Sequence, residues 1–227
     1  MKERITHIRD RVRAAAMAAG RDPSEIRLVA AAKTMPAQTV AQAIKNGADI
    51  IGENYIQEAR DKSAALTHMK ASWHFIGRLQ TNKAKYAARI FDLIHSVDSV
   101  KLAREIDKQA GKIGKTQRIL IQVNIAGEAS KSGVSPQEAP GLIREIAWFE
   151  NLSARGLMTM PPFFDDGERA RPFFAALSRL RDEIAAQDIP GVSMEELSMG
   201  MTGDFEAAIQ EGATLVRIGT AIFGPRA

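Results

Sequence analysis

The sequence predicts an α/β fold: a single (β/α)8 TIM barrel with one additional N-terminal helix. Short apolar runs alternate with helical patterns along the whole chain, as expected for parallel strands joined by crossover helices. About eight such units fit into 227 residues, the size of one such barrel. No linker, low-complexity tract or composition break divides the chain, and no repeat beyond the βα alternation occurs, so one domain over 1–227 is expected.

The opening helix is expected over roughly 2–19, where Ile5, Ile8, Val12 and Ala15–Ala16 fall near one face. Strands are expected at Leu28–Ala32, Ile50–Gly52, His74–Gly77, Leu93–Ser96, Ile119–Ile125, Ala154–Met158, Met194–Leu197 and Leu215–Ile218. Helical patterns separate them at 36–46, 54–69, 80–88, 99–111, 136–148, 168–186 and 204–211, and Gly219-Thr220 opens a short last helix, Ala221–Gly224. The most loop-like stretches, Gly127–Gly133 and Pro161–Gly167, fall on βα connections, the functional side of a barrel.

Composition narrows the chemistry. Apolar residues make up 45% and charged residues 26%, enough for a packed core. There is no cysteine, so disulfides, thiolate catalysis and cysteine zinc sites are excluded. His7, His68, His74 and His95 form no ligand pair of the HxxxH kind, which argues against a histidine metal site. The net charge of +4 suits an anionic ligand, but bases and acids alternate, as in Arg181-Asp182-Glu183, so no nucleic-acid surface is expected. No apolar run approaches the ~18 residues that span a membrane. The N-terminus Met1-Lys2-Glu3-Arg4 leads into a charged helix, so a soluble cytoplasmic protein with no membrane partner is expected.

Polar residues recur where strands end: Lys33, Glu53, Asn54, Arg78, Ser96, Asn124 and Thr159. In a barrel these converge on the C-terminal mouth, where the sites of this architecture lie. Lys33 stands out because it follows Leu28-Val29-Ala30-Ala31-Ala32, a small-residue run that leaves room for a flat ring. A lysine amine in such a place can form a Schiff base with an aldehyde; the bland alternative is an exposed strand-end charge.

Two late loops could hold a phosphate. Ser198-Met199-Gly200-Met201-Thr202-Gly203-Asp204 offers two hydroxyls and close backbone approach, and an ordinary cap by Thr202 or Asp204 explains it equally well. Arg217-Ile218-Gly219-Thr220 closes strand eight, and the loops after strands seven and eight are the usual phosphate site of this barrel. Alternation places Leu215 and Arg217 on one face. Arg217 can only donate, so opposite a pyridine nitrogen it would leave that nitrogen unprotonated; a structural ion pair is the alternative. His74 reads as a core histidine, and Tyr55 and Tyr86 fall in helical stretches, with neither placed as a second base.

These blocks resemble the pyridoxal 5′-phosphate homeostasis proteins, the one-domain relatives of the alanine racemase barrel. The resemblance runs through Leu28–Lys33, Ile51-Gly52-Glu53-Asn54-Tyr55, Trp73-His74-Phe75-Ile76-Gly77 and Leu79-Gln80-Thr81-Asn82-Lys83. It continues through Val123-Asn124-Ile125, Ser130-Lys131-Ser132-Gly133 and Arg155-Gly156-Leu157-Met158, and closes with Leu197–Thr202 and Val216–Thr220. It implies an alanine racemase N-terminal-domain-like barrel holding pyridoxal 5′-phosphate (PLP) as a Schiff base on Lys33. It further implies phosphate contacts from Ser198, Gly219 and Thr220, Arg217 near the pyridine nitrogen, and Asn54 beside the cofactor. Thr202 stands where many members carry serine.

The resemblance also implies vitamin B6 homeostasis, with apo-PLP enzymes as recipients and no established turnover. The related racemases take a tyrosine base from a second domain; this chain ends just after strand eight, so no such domain and a monomer are expected. The alternatives are a PLP-dependent racemase or lyase acting on a small amino acid, and a cofactor-free phosphate-binding isomerase.

Overall fold

The computed structural model describes residues 1–128 and 131–224. Eight parallel strands close into one barrel in sequence order. They are β1 (Arg27–Ala31), β2 (Ile50–Glu53), β3 (Ser72–Phe75), β4 (Leu93–Val97), β5 (Gln117–Gln122), β6 (Leu152–Met158), β7 (Val192–Ser198) and β8 (Leu215–Ile218). β8 returns to β1 in parallel register, pairing Val29 with Arg217 and Ala30 with Ile218. Buried strands of this kind need apolar residues on both faces, which is why the runs read as apolar almost throughout.

Alternation sorts the two faces. Val29, Ile50, Leu93, Leu120, Met158 and Leu215 meet inside the barrel. Ala30, Ile51, Ile94, Ile119, Ile121, Leu157, Val216 and Ile218 point outward into the larger core beneath the helices.

The outer helices are α1 (Lys2–Ala18), α2 (Ala37–Lys45), α3 (Ile56–Ala65), α4 (Ala84–Ile90), α5 (Val100–Gly111), α6 (Ala139–Ile146), α7 (Arg171–Ala185), α8 (Phe205–Gln210) and α9 (Thr220–Phe223). α8 and α9 are short, and α1 packs against both. Its buried face is Ile5, Ile8, Val12, Ala15 and Ala16, the stripe expected from the sequence. The extra helix therefore covers barrel wall that two short helices leave open. No helix of the described residues is long and apolar enough to cross a membrane.

Several boundaries differ from expectation. β5 ends at Gln122: the Val134 amide donates to Gln122 O and the Asn124 amide donates to Val134 O, so the returning loop takes the edge facing away from β6, while the Val123 amide still donates to Met158 O of β6. The pattern read over 80–88 divides into a 3-10 turn, Thr81–Lys83, and α4; that over 168–186 divides likewise at Gly167–Ala170. Ser130, one of the residues carrying the resemblance, and the terminal residues 225–227 lie outside the described residues.

Candidate functional site

The C-terminal mouth holds a cavity of about 350 Å3 whose wall includes Lys33, Asn54, Thr202, Gly203, Asp204, Arg217, Gly219 and Thr220. Cavities of about 300–1,000 Å3 suit small organic ligands. Apolar walls come from Ala31, Met35, Ile76, Met160, Phe163, Phe164, Met201 and Phe223. Pro161–Gly167, read as a functional loop, supplies Phe163 and Phe164, and Phe164 stacks on Phe173 with centroids 5.9 Å apart. Lys131 and Ser132 of the other loop line an adjoining cavity with Arg78 and Asn124.

Each side chain is placed by its strand end. Lys33 follows β1 by two residues. Asn54 sits where the β2–α3 loop crosses Gly77, and a Cβ on Gly77 would lie 2.2 Å from Asn54 O, so only glycine lets the two backbones meet. Gly200, at φ +88°, turns the chain after β7 and presents Met201–Asp204 to the mouth. The Met201 amide donates to Asp204 Oδ1 at 2.5 Å, closing that turn ahead of α8. Burial raises the Asp204 carboxyl above its usual range, against the Met201 bond and the Arg217 charge.

Arg217 is buried and reaches in from β8. It donates to Ser198 Oγ at 2.6 Å and to Thr159 O at 2.9 Å, with no carboxylate within ion-pair distance among the described residues. Burial lowers its guanidinium to about 10, which still leaves it protonated at neutral pH.

Five of the six sequence-derived site residues share this cavity; Ser198 does not. It ends β7 pointing into the barrel, fully buried, with its oxygen taken by Arg217 and by His95 Nδ1 at 2.8 Å. Its hydroxyl, expected beside a phosphate, is engaged inside the barrel, and the hydroxyl of that loop on the cavity wall is Thr202. The signal was Gly200, since residues before the turn belong to the strand and residues after it to the mouth.

Of the other strand-end residues, Glu53, Ser96 and Thr159 line neither this cavity nor the adjoining one. Glu53 points outward beneath α3 and accepts from Lys62 Nζ at 2.8 Å; burial pushes its carboxyl up to about 7, against the lowering effect of Lys62. Ser96 is buried, and Thr159 donates its hydroxyl to Val123 O at 2.8 Å. His74, read as a core histidine, is one, but with an unforeseen partner: His74 Nδ1 lies 2.9 Å from His95 Nε2. Tyr55 is half exposed just ahead of α3, and neither tyrosine belongs to the wall. No cluster of three potential metal ligands occurs among the described residues.

This donor set suits one kind of guest. Lys33 offers an amine, Arg217 an obligate donor deep in the pocket, and the first turn of α9 leaves backbone N–H groups without intrahelical acceptors beside two threonine hydroxyls. A flat, phosphorylated aldehyde with a ring nitrogen fits those groups and the apolar walls.

Comparison with known proteins agrees. The family model described as alanine racemase, N-terminal domain, matches residues 4–227. The pyridoxal phosphate homeostasis protein of Aquifex aeolicus is 43% identical over 224 residues, covering 99% of this chain and 97% of its own. That of Pseudomonas aeruginosa is 44% identical over 224 residues, covering 99% and 95%. PipY of Synechococcus elongatus, solved without PLP, superposes with a TM-score of 0.88 at 34% identity, covering 99% of this chain and all of that one (100%). PipY with PLP bound gives 0.82 at 34% identity over 96% and 100%. An alanine racemase of Clostridium difficile 630, at 13% identity, TM-score 0.71 and coverage of 96% and 55%, shares the fold alone. Fold and site define a barrel of the alanine racemase N-terminal type. Within it, the chain belongs to the pyridoxal phosphate homeostasis protein family.

Proposed function

We propose that this protein binds PLP reversibly at the barrel mouth and serves vitamin B6 homeostasis, holding the cofactor for recipient apo-enzymes. The observation that carries the reading is the meeting of Lys33, Arg217 and the Thr202–Gly203 and Gly219–Thr220 loops around one cavity. The cofactor, when bound, supplies an aldehyde that condenses with an amine. Lys33 is the amine in this reading. Thr202, Gly219 and Thr220 hold the phosphate, and Arg217 faces the ring nitrogen and, as an obligate donor, keeps it unprotonated. Asn54 flanks the ring, and Phe164 covers one side of it.

Turnover is not part of this reading. Racemisation needs an acid/base on each face of the reacting carbon. Among the lining residues the ionisable side chains are Lys33, Asp204 and Arg217, and Asp204 is engaged by the Met201 amide. An unprotonated ring nitrogen also makes a weaker electron sink.

The test is covalent. Loaded protein should show the visible-range band of the lysine adduct, and borohydride should fix the cofactor on Lys33. Lys33→Ala should lose the band and stay folded. A reduced adduct mapped to Lys131 or Lys83 would overturn the assignment.

A further inference from the structure

We propose that Lys62, Glu58 and Glu53, all outside the cofactor cavity, are positioning residues that set the backbone carrying Lys33. The proposal rests on Lys33 being the reactive amine.

Lys33 and Thr34 are the middle residues of a four-residue turn closed by Met35 N–H donating to Ala32 O at 3.1 Å. Thr34, the third residue of that turn, has φ +66°. A turn with positive φ there normally takes glycine or asparagine, and a β-branched residue in that conformation is an outlier. Left to itself, this turn would relax and carry the lysine with it.

The restraint comes from α3. Lys62 Nζ donates to Ala32 O at 2.8 Å, to Glu53 Oε1 at 2.8 Å and to Glu58 Oε2 at 2.9 Å, so its three ammonium donors are all used. Glu58 Oε2 also accepts the Thr34 amide at 2.8 Å. The carbonyl before Lys33 and the amide after it are thus both tied to one charged cluster. Glu58 and Lys62 stand one helical turn apart on α3, and Glu53 ends β2, so three elements share the restraint.

Burying an ion pair costs desolvation that apolar packing of the same volume avoids. Lys62 is only 6% exposed and Glu53 fully buried, and one oxygen of Glu53 has no hydrogen-bond partner among the described residues. A cluster built for stability alone would not leave that oxygen unpaired. Its bonds to both backbone groups flanking the amine fit a positioning role.

Glu58→Ala is the variant to make, because Glu58 is partly exposed and Lys62 keeps its other two acceptors. In protein free of cofactor, the Thr34 amide should exchange with deuterium at least tenfold faster than in the wild type. PLP should bind at least tenfold more weakly, while pyridoxine 5′-phosphate, which lacks the aldehyde, should bind within twofold of wild type. Glu58→Gln, whose carbonyl oxygen can accept the same two donors, should restore both readouts. Equal losses for the two ligands, an unchanged PLP affinity or an unchanged Thr34 exchange rate would each overturn the proposal. A Lys33→Ala control separates the two readings: a visible band surviving in it sinks the cofactor assignment, and Thr34 exchange then decides the cluster alone.

Discussion

Arg217 donates to Ser198 Oγ at 2.6 Å, and this bond sets the direction of a buried chain across the barrel. Arginine has no acceptor, so the serine oxygen accepts. Its own hydrogen then goes to the other partner in reach, His95 Nδ1 at 2.8 Å. His95 is left with its proton on Nε2, which donates to His74 Nδ1 at 2.9 Å. Ser198 therefore belongs to the support of Arg217, and both histidines are held neutral.

This arrangement separates two threonines from one serine in a binding experiment. Thr202→Val and Thr220→Val should weaken PLP more than pyridoxal, because only PLP carries the phosphate. Each lost charge-assisted bond costs about 1.5–3 kcal/mol, on the order of 10- to 100-fold in affinity. Ser198→Ala should weaken both ligands by the same factor, acting through Arg217. A loss confined to PLP in Ser198→Ala would put Ser198 at the phosphate after all.

Acid stability should carry the signature of the histidine pair. Burial holds His74 down to about 3 and His95 well below its ordinary value. Both bind protons more readily unfolded than folded, so stability is full above about pH 6.5 and falls as pH drops through the window down to about 3. Each proton contributes at most about 1.4 kcal/mol per pH unit. Glu53, raised to about 7, acts in the opposite sense: the folded state gains protons between its unfolded value and about 7. Urea unfolding of His74→Asn, whose carbonyl can take the same bond from His95, should show a shallower slope than wild type between pH 4 and 6.5. Parallel slopes would rule out a neutral buried His74.

Loaded protein should exchange no α-protons of alanine at enzymatic rates. The grounds are that Arg217, the obligate donor proposed to face the ring nitrogen, would leave that nitrogen unprotonated, and that no tyrosine is among the lining residues. Amino acids should still shift the spectrum, since displacing Lys33 requires only access. Deuterium incorporation followed by NMR in heavy water, with Lys33→Ala as control, decides the matter: multiple turnovers that depend on Lys33 would establish an enzyme.

Two glycines should respond oppositely to alanine. Gly77→Ala places a Cβ 2.2 Å from Asn54 O and 2.6 Å from Asn54 Cα, so backbone must move. It should cost about 2–4 kcal/mol by chemical denaturation and weaken PLP binding. Gly141→Ala, exposed in α6 with nothing within 4 Å of the new Cβ, should stabilise by about 0.5–1 kcal/mol. Equal effects at the two positions would show that the Asn54 crossing is not tight.

The order of strands and helices, the amphipathic stripe of α1 and the position of Lys33 were legible in the sequence, because each depends on periodicity or spacing over a few neighbouring residues. So was the inward face of Arg217, which strand alternation alone dictates. The partners of the Ser198 hydroxyl were not legible on the same ground: it lies on the strand side of Gly200, and a hydroxyl's partner is set by what crosses the barrel to meet it. Glu53 shows the same limit, ending a strand like Asn54 one residue later but facing the opposite way, into Lys62. The His74–His95 contact and the tie from α3 to the Lys33 turn join residues 21 and 24–30 positions apart. The sequence by itself determined the barrel and most of the candidate site, through local pattern and strand parity. Only tertiary closure decided which polar groups satisfy one another and which remain for a ligand, because a buried hydrogen bond depends on distance in space.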